Sequence, residues 1–258
     1  SGATFIDRFL DTFAVIPRPV RALLAKDFRI FWREPSQWTQ FVLFFGLLCI
    51  YVLNLRNVSY DFSNPFWGLV ISYLNLGASA LTLSTLTTRF VFPQFSLEGR
   101  RLWIIGLAPL GLPRVLLQKF WSSTFASSAI TVTLMLVSSI MLRMPLWKTL
   151  LFCGAISLMS ASLSGIAVGL GALFPNLKET NPSKIVSGFG GTLCLVASFV
   201  YIVLSISILV VPAALILAGR FTNNAIYLVS VAALCILSAI TIVLPMRAAI
   251  QKVKNLEF

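Results

Sequence analysis

Six apolar runs follow one another along this chain, each near or above the ~20 residues that a helix needs to cross hydrocarbon, and they leave few folds open to it. They lie at Trp38 to Leu55, Phe66 to Thr88, Leu116 to Leu142, Leu146 to Phe174, Ile185 to Val211 and Ala225 to Met246. Lipid offers nothing to hydrogen-bond a backbone, so runs of this length satisfy their N–H and C=O groups as helices. Composition agrees: 58% of residues are hydrophobic and 11% charged, against roughly 45 to 50% and about 25% in soluble domains. The fold class is therefore an all-α integral membrane protein with six transmembrane helices. The fourth and fifth runs exceed the minimum length, so a tilt or kink is expected there. After Val211, Pro212 and the segment AALILAGR are too short to cross and are expected to form a small helix at the surface or dipping into it.

The runs recur from end to end, which favours one membrane domain over residues 1–258. Residues 1–36 form a lead, 38–246 the six-span bundle and 247–258 a tail. The first residue is Ser1, and the opening stretch lacks the basic, apolar and small-residue pattern of a signal peptide. The expectation is a chain cut from something longer, of which these residues are the C-terminal half. Between Val20 and Arg33, Leu23, Leu24, Phe28, Ile30, Phe31 and Trp32 alternate with Arg21, Lys26, Asp27, Arg29 and Arg33. That is the pattern of a basic amphipathic helix lying on the membrane surface, with a solvated helix of a missing soluble domain as the alternative.

A net charge of +12 in a soluble protein would raise nucleic acid as a partner. Here the distribution of charge about the spans explains it. With six alternating spans, sixteen of the 20 Lys and Arg fall on one side, and only Arg56, Arg143, Lys148 and Arg220 on the other. The positive-inside rule then makes both termini cytoplasmic, in a multi-pass cell membrane protein that takes lipid and no nucleic acid as partners.

The residues also exclude chemistry. There is no histidine, which removes the usual general base and the commonest metal ligand. None of the seven lysines follows a glycine, so the phosphate loop GxxxxGK[ST] cannot be written anywhere in the chain. Cys49, Cys153, Cys194 and Cys235 each lie inside an apolar run and signal neither a zinc site nor a disulfide framework. No carboxylate sits in mid-span, whereas ion-coupled transporters commonly use intramembrane ionisable groups. A transporter built this way is expected to draw its energy from another subunit. Polar groups do enter the spans, among them Asn75, Ser79 and Thr82 in the second and Ser127 and Thr131 in the third. They could line a path for an amphiphilic substrate or bond across helices, and packing is the default reading. The same default applies to Ser160, Ser164, Gly165 and Gly169 in the fourth span.

The stretch from Thr88 to Phe120 is the one long charged interruption in the apolar pattern. Pro93 can open a helix there, Pro109 blocks its continuation and Pro113 can restart the chain in the first turn of the next helix. Glu98, Arg100 and Arg101 stand beside Leu97, Leu102, Trp103, Ile104 and Ile105. Such a helix is too charged to cross and too apolar to float free, which suits an interface touching lipid and a partner.

The order of these elements resembles the membrane domain of type-2 ATP-binding-cassette exporters. Three strings resemble one bacterial branch of exporter permeases: KDFRIFWREPSQW from Lys26, FSLEGRRLWIIGLAP from Phe95 and GALFPNLKETNPSKIVSGFGG from Gly171. The likeness covers most of the chain from about residue 20 onward. It implies an N-terminal connecting helix, and a cytoplasmic coupling helix between spans two and three that docks on a separate cassette ATPase. Ser96, Glu98, Arg100, Arg101 and Trp103 would be the docking residues, and Lys178, Glu179 and Asn181 a second cytoplasmic contact. The resemblance further implies a permease subunit that is not itself an enzyme. It would carry no cofactor, with ATP and magnesium on the partner subunit, and would pair with a second six-span half of the same chain type or the missing N-terminal half. A membrane scaffold without a transport path is the alternative. A membrane-embedded enzyme ranks below both, given the absent histidines and mid-span carboxylates.

Overall fold

A computed structural model describes residues 65–98, 111–179, 181–219 and 225–255, together with Thr39, Val42 and Gly46 as single helical positions. Most of the first apolar run, the surface helix expected at Val20 to Arg33 and the stretch from Gly99 to Leu110 lie outside the described residues. Every regular element among the described residues is a helix. They are α1 (Pro65–Leu86), a π-helical turn (Thr87–Val91), α2 (Gln94–Glu98), α3 (Gly111–Met141), α4 (Leu146–Leu173), α5 (Pro182–Val186), α6 (Phe189–Leu217) and α7 (Ala225–Lys254). Five segments are long and apolar enough to cross a membrane: Phe66–Glu98, Leu112–Met141, Leu146–Leu173, Phe189–Leu217 and Ile226–Lys254.

Helix ends follow the residues that set them. Proline stands at the start of α1 and of α5, where a missing N–H costs nothing. Asn181 caps α5 by accepting a bond from the Ser183 amide at 3.0 Å. Past α3, the Met144 amide donates to Ser139 and the Arg143 amide to Ile140, a Schellman closure that places Arg143 at φ +50°. Pro145 then enters α4 in an extended conformation. At the far end of α4, Lys252 from α7 donates its Nζ to the Leu173 carbonyl, where a cation suits the helix C-terminus.

The expectation of a separate short helix after Val211 is corrected: α6 runs unbroken to Leu217 with Pro212 inside it. Proline removes one N–H from the ladder, but membrane helices tolerate that where local adjustment and neighbours satisfy the freed carbonyl. Pro245 sits inside α7 in the same way.

α4 is the central helix, packed against α1, α3, α6 and α7. Phe152, Ile156, Met159 and Leu163 are all fully buried along one face, and Ala155, Ser162 and Ile166 are buried on another. A helix buried on so many sides has neighbours all round it. Its closest neighbour is α7. A Cβ added at Gly165 would lie 3.2 Å from the Ile242 Cα, and one at Gly169 would lie 2.7 Å from the Pro245 Cβ. The glycines expected from sequence to permit close contact thus sit at a backbone approach that larger residues would block. Outward, α6 presents Phe199 and Val200 and α7 presents Leu228, Val229 and Leu244, all half exposed or more. A surface this apolar suits lipid rather than water.

A matched pair of substitutions checks this packing. Gly169→Ala is expected to destabilise the purified protein by about 1–3 kcal/mol, the usual range for overpacking. Gly154→Ala, on the same helix with open space around it, is expected to leave the thermal unfolding midpoint in detergent unchanged or raise it.

Candidate functional site

The described opening of the charged interruption, Thr88 to Glu98, forms a folded corner at one end of the bundle. α1 does not simply stop. Its last turn widens at Thr87–Val91, and the Phe92 amide donates back to the Thr87 carbonyl at 3.0 Å, five residues earlier. Single π turns inside α-helices often mark functional positions. The Thr87 hydroxyl bonds Leu83 at 3.0 Å and Ser84 at 3.1 Å, which takes up carbonyls near the wider turn. Phe92 and Phe95 are buried there. The Phe92 carbonyl lies so close to Gly171 of α4 that a Cβ would have no room.

This corner delivers Glu98 to Lys119. The two side chains meet at 3.1 Å and are only 4% and 3% exposed. Taking two charges out of water costs several kcal/mol each, and their mutual attraction repays this only in good geometry. The pair therefore fixes the end of α2 to the early part of α3. Ser96 is buried too, and its Oγ accepts a bond from the Asn176 amide at 3.1 Å, tying α2 to the turn after α4.

Ser96 and Glu98, which the resemblance implies as docking residues, are both buried among the described residues. Both face inward, because an apolar corner around Phe92 and Phe95 carries them under the bundle rather than out from it. Arg100, Arg101 and Trp103 lie outside the described residues. Lys178 and Asn181 are exposed on the turn between α4 and α5, and Glu179 is partly so. Glu179 meets Lys184 at 3.9 Å in an exposed pair, a kind worth little by itself.

The polar residues of the spans are buried where helices meet. Asn75 donates to Ser138 Oγ at 2.9 Å, joining α1 to α3, and Ser79 approaches Met135 Sδ at 3.8 Å. Ser127 meets Ser160 at 2.8 Å and Ser164 at 3.4 Å, joining α3 to α4. Thr82 and Thr131 bond back to Ala78 and Ser127 within their own helices, at 2.9 and 2.8 Å. Sequence reasoning missed Lys119 as a site residue. The signal was available: Leu112, Leu116, Lys119 and Ser123 recur at helical spacing, and all four are buried.

Removing one partner takes from the other its 3.1 Å ion-pair contact at a buried site. Glu98→Leu or Lys119→Met alone is expected to cost about 3–5 kcal/mol. The double substitution should cost clearly less than the two single losses together, as read in a double-mutant cycle of thermal unfolding.

Among known proteins, the model of a family described as "Putative ATP-binding cassette" matches residues 2–258. No curated protein and no solved structure matches the chain. The family match overturns three expectations: a permease subunit served by a separate ATPase, a chain that is no enzyme, and ATP and magnesium confined to a partner. A cassette family over the whole length points instead to an ATPase, with nucleotide and metal on this chain. The described residues do not fit a phosphate-loop site for that group. None of the lysines follows a glycine, and no three His, Cys, Asp or Glu side chains cluster among the described residues. Matched over nearly its full length, the chain belongs to the putative ATP-binding cassette family.

Proposed function

We propose that this chain is an ATP-using membrane protein of the ABC transporter class, working beside other components of such a system. One observation carries the reading: an ATP-binding cassette family matches the whole chain, and that same chain holds five helices fit to cross a membrane. The family match and the membrane helices fall on the same chain, so in this reading nucleotide use and membrane insertion are properties of one molecule. In this reading a sixth span comes from Trp38 to Leu55, and the Glu98 end of the bundle faces the cytoplasm on the positive-inside count. The exposed turn carrying Lys178, Glu179 and Asn181 lies at that end and is the surface offered to another component, with Arg100, Arg101 and Trp103 as further contacts.

The purified full chain, reconstituted in lipid vesicles, is expected to hydrolyse ATP in a magnesium-dependent manner and to lose that turnover in EDTA. Failure both to bind labelled ATP and to hydrolyse it with magnesium present would sink the proposal. Orientation has its own check. In a chain whose four native cysteines are replaced, Met144→Cys should react with a membrane-impermeant maleimide on intact cells. Lys178→Cys should react only after permeabilisation, and the opposite pattern would reverse the assignment.

A further inference from the structure

The end of the bundle opposite Glu98 carries a cleft of about 390 Å³, within the range of small-ligand sites. The start of α1, the turn and first residues of α4, the last turns of α6 and the start of α7 all contribute to its wall. Most of the lining is apolar or aromatic, and its two charged members, Arg143 and Lys148, are both cations.

The floor is held in place. Tyr73 donates its hydroxyl to the Leu209 carbonyl at 2.8 Å, and its ring meets Phe152 edge-on at 5.1 Å between centroids. Above these two rings lies the Lys148 ammonium, 5.6 Å from one centroid and 5.8 Å from the other. Ring faces attract a cation but do not neutralise it. Neither Lys148 nor Arg143 meets a carboxylate in an ion pair among the described residues. Beside them, Trp147 and Tyr227 stack edge to face at 6.2 Å to form a side wall. One further feature favours negative charge here: Pro145 leaves the positive end of the 28-residue α4 without a side-chain cap.

We propose that this cleft binds the anionic, phosphate-bearing headgroup of an amphiphile. Lys148 and Arg143 would hold the phosphate, and the Trp147–Tyr227 wall would cover the first apolar atoms behind it. Charge decides against a cationic ligand. The aromatic walls, and the exposed Leu146 and Leu150 beside them, decide for an amphiphile over a bare ion, because Trp and Tyr favour the level where headgroups meet tails.

Titration of the purified full chain in non-ionic detergent tests this, read by tryptophan fluorescence and thermal midpoint. Soluble dihexanoyl phosphatidylglycerol is expected to bind saturably and at least tenfold more tightly than dihexanoyl phosphatidylcholine, while inorganic phosphate does not saturate over the same range. The double variant Arg143→Gln with Lys148→Gln should lose at least tenfold in phosphatidylglycerol affinity. Arg247→Gln with Lys254→Gln, which removes two charges at the other end, should stay within twofold. Equal binding of the two lipids, phosphate binding as tight as that of the anionic lipid, or an unaffected Arg143/Lys148 variant would each overturn the proposal. If the glutamine variant does not fold, the charge-keeping Arg143→Lys with Lys148→Arg replaces it. It must retain the anionic preference, and the lipid selectivity of the unaltered chain decides independently of both.

Discussion

Where α4 crosses α7 the two backbones come so close that Gly169 leaves no space for a side chain and Gly165 only a tight one, and the described bundle depends on that approach. In lipid there is no hydrophobic drive between helices, so association rests on contact area and on a few interhelical hydrogen bonds. The glycines let α4 lie against α7 on one side while α3 holds the other through Ser127, Ser160 and Ser164. Each such bond contributes only about 0.6 kcal/mol on average. Their effect is therefore one of register, and the packing of α4 supplies most of the attraction. The Tyr201–Ser238 bond at 2.8 Å does the same between α6 and α7.

The two ends of the bundle handle charge in opposite ways. At one end Glu98 and Lys119 are taken fully out of solvent and face each other, so the charges pin α2 against α3. At the other, Lys148 lies over aromatic rings in an open cleft whose second charged lining residue, Arg143, is also a cation. A buried matched pair contributes mainly conformational definition, while like charges at a cleft leave a field that a ligand can answer. The first arrangement is structural by its chemistry, and the second is receptive.

How much of this was legible in the sequence depends on the range of the interaction. The spans α1, α3, α4 and α7 follow from apolar run length, a local property, and the described starts at Pro65 and Leu146 fall within a residue of those expected. Pro212 was misread as a stop. Proline breaks helices in water because the freed carbonyl has other options, and inside α6 the surrounding lipid and helices remove them. The Glu98–Lys119 pair is not legible in the sequence because its members lie on either side of a charged connection, and no local pattern couples the two. The cleft was invisible for the same reason, since its walls come from segments far apart in sequence. Function shows a sharper version of this limit. The missing GxxxxGK[ST] loop argued that ATP belonged to another subunit, yet that loop is one way of holding a nucleotide, and the family match assigns the whole chain to a cassette family.

Arg143 brings these threads together. Two helices have a left-handed residue just beyond them at the cleft end: Gly219 at φ +70° after α6 and Arg143 at φ +50° after α3. Glycine adopts this conformation freely, whereas a residue with a Cβ gives up roughly 1–2 kcal/mol. The Schellman bonds from Met144 and Arg143 would form equally well with glycine in that place, so the turn itself does not explain the arginine. What glycine could not supply is a guanidinium at the rim of a cleft whose other cation is Lys148. Strain kept where a cheaper residue would serve the backbone points to a demand made by the side chain. Among the described residues, the demand that the surroundings of Arg143 show is electrostatic.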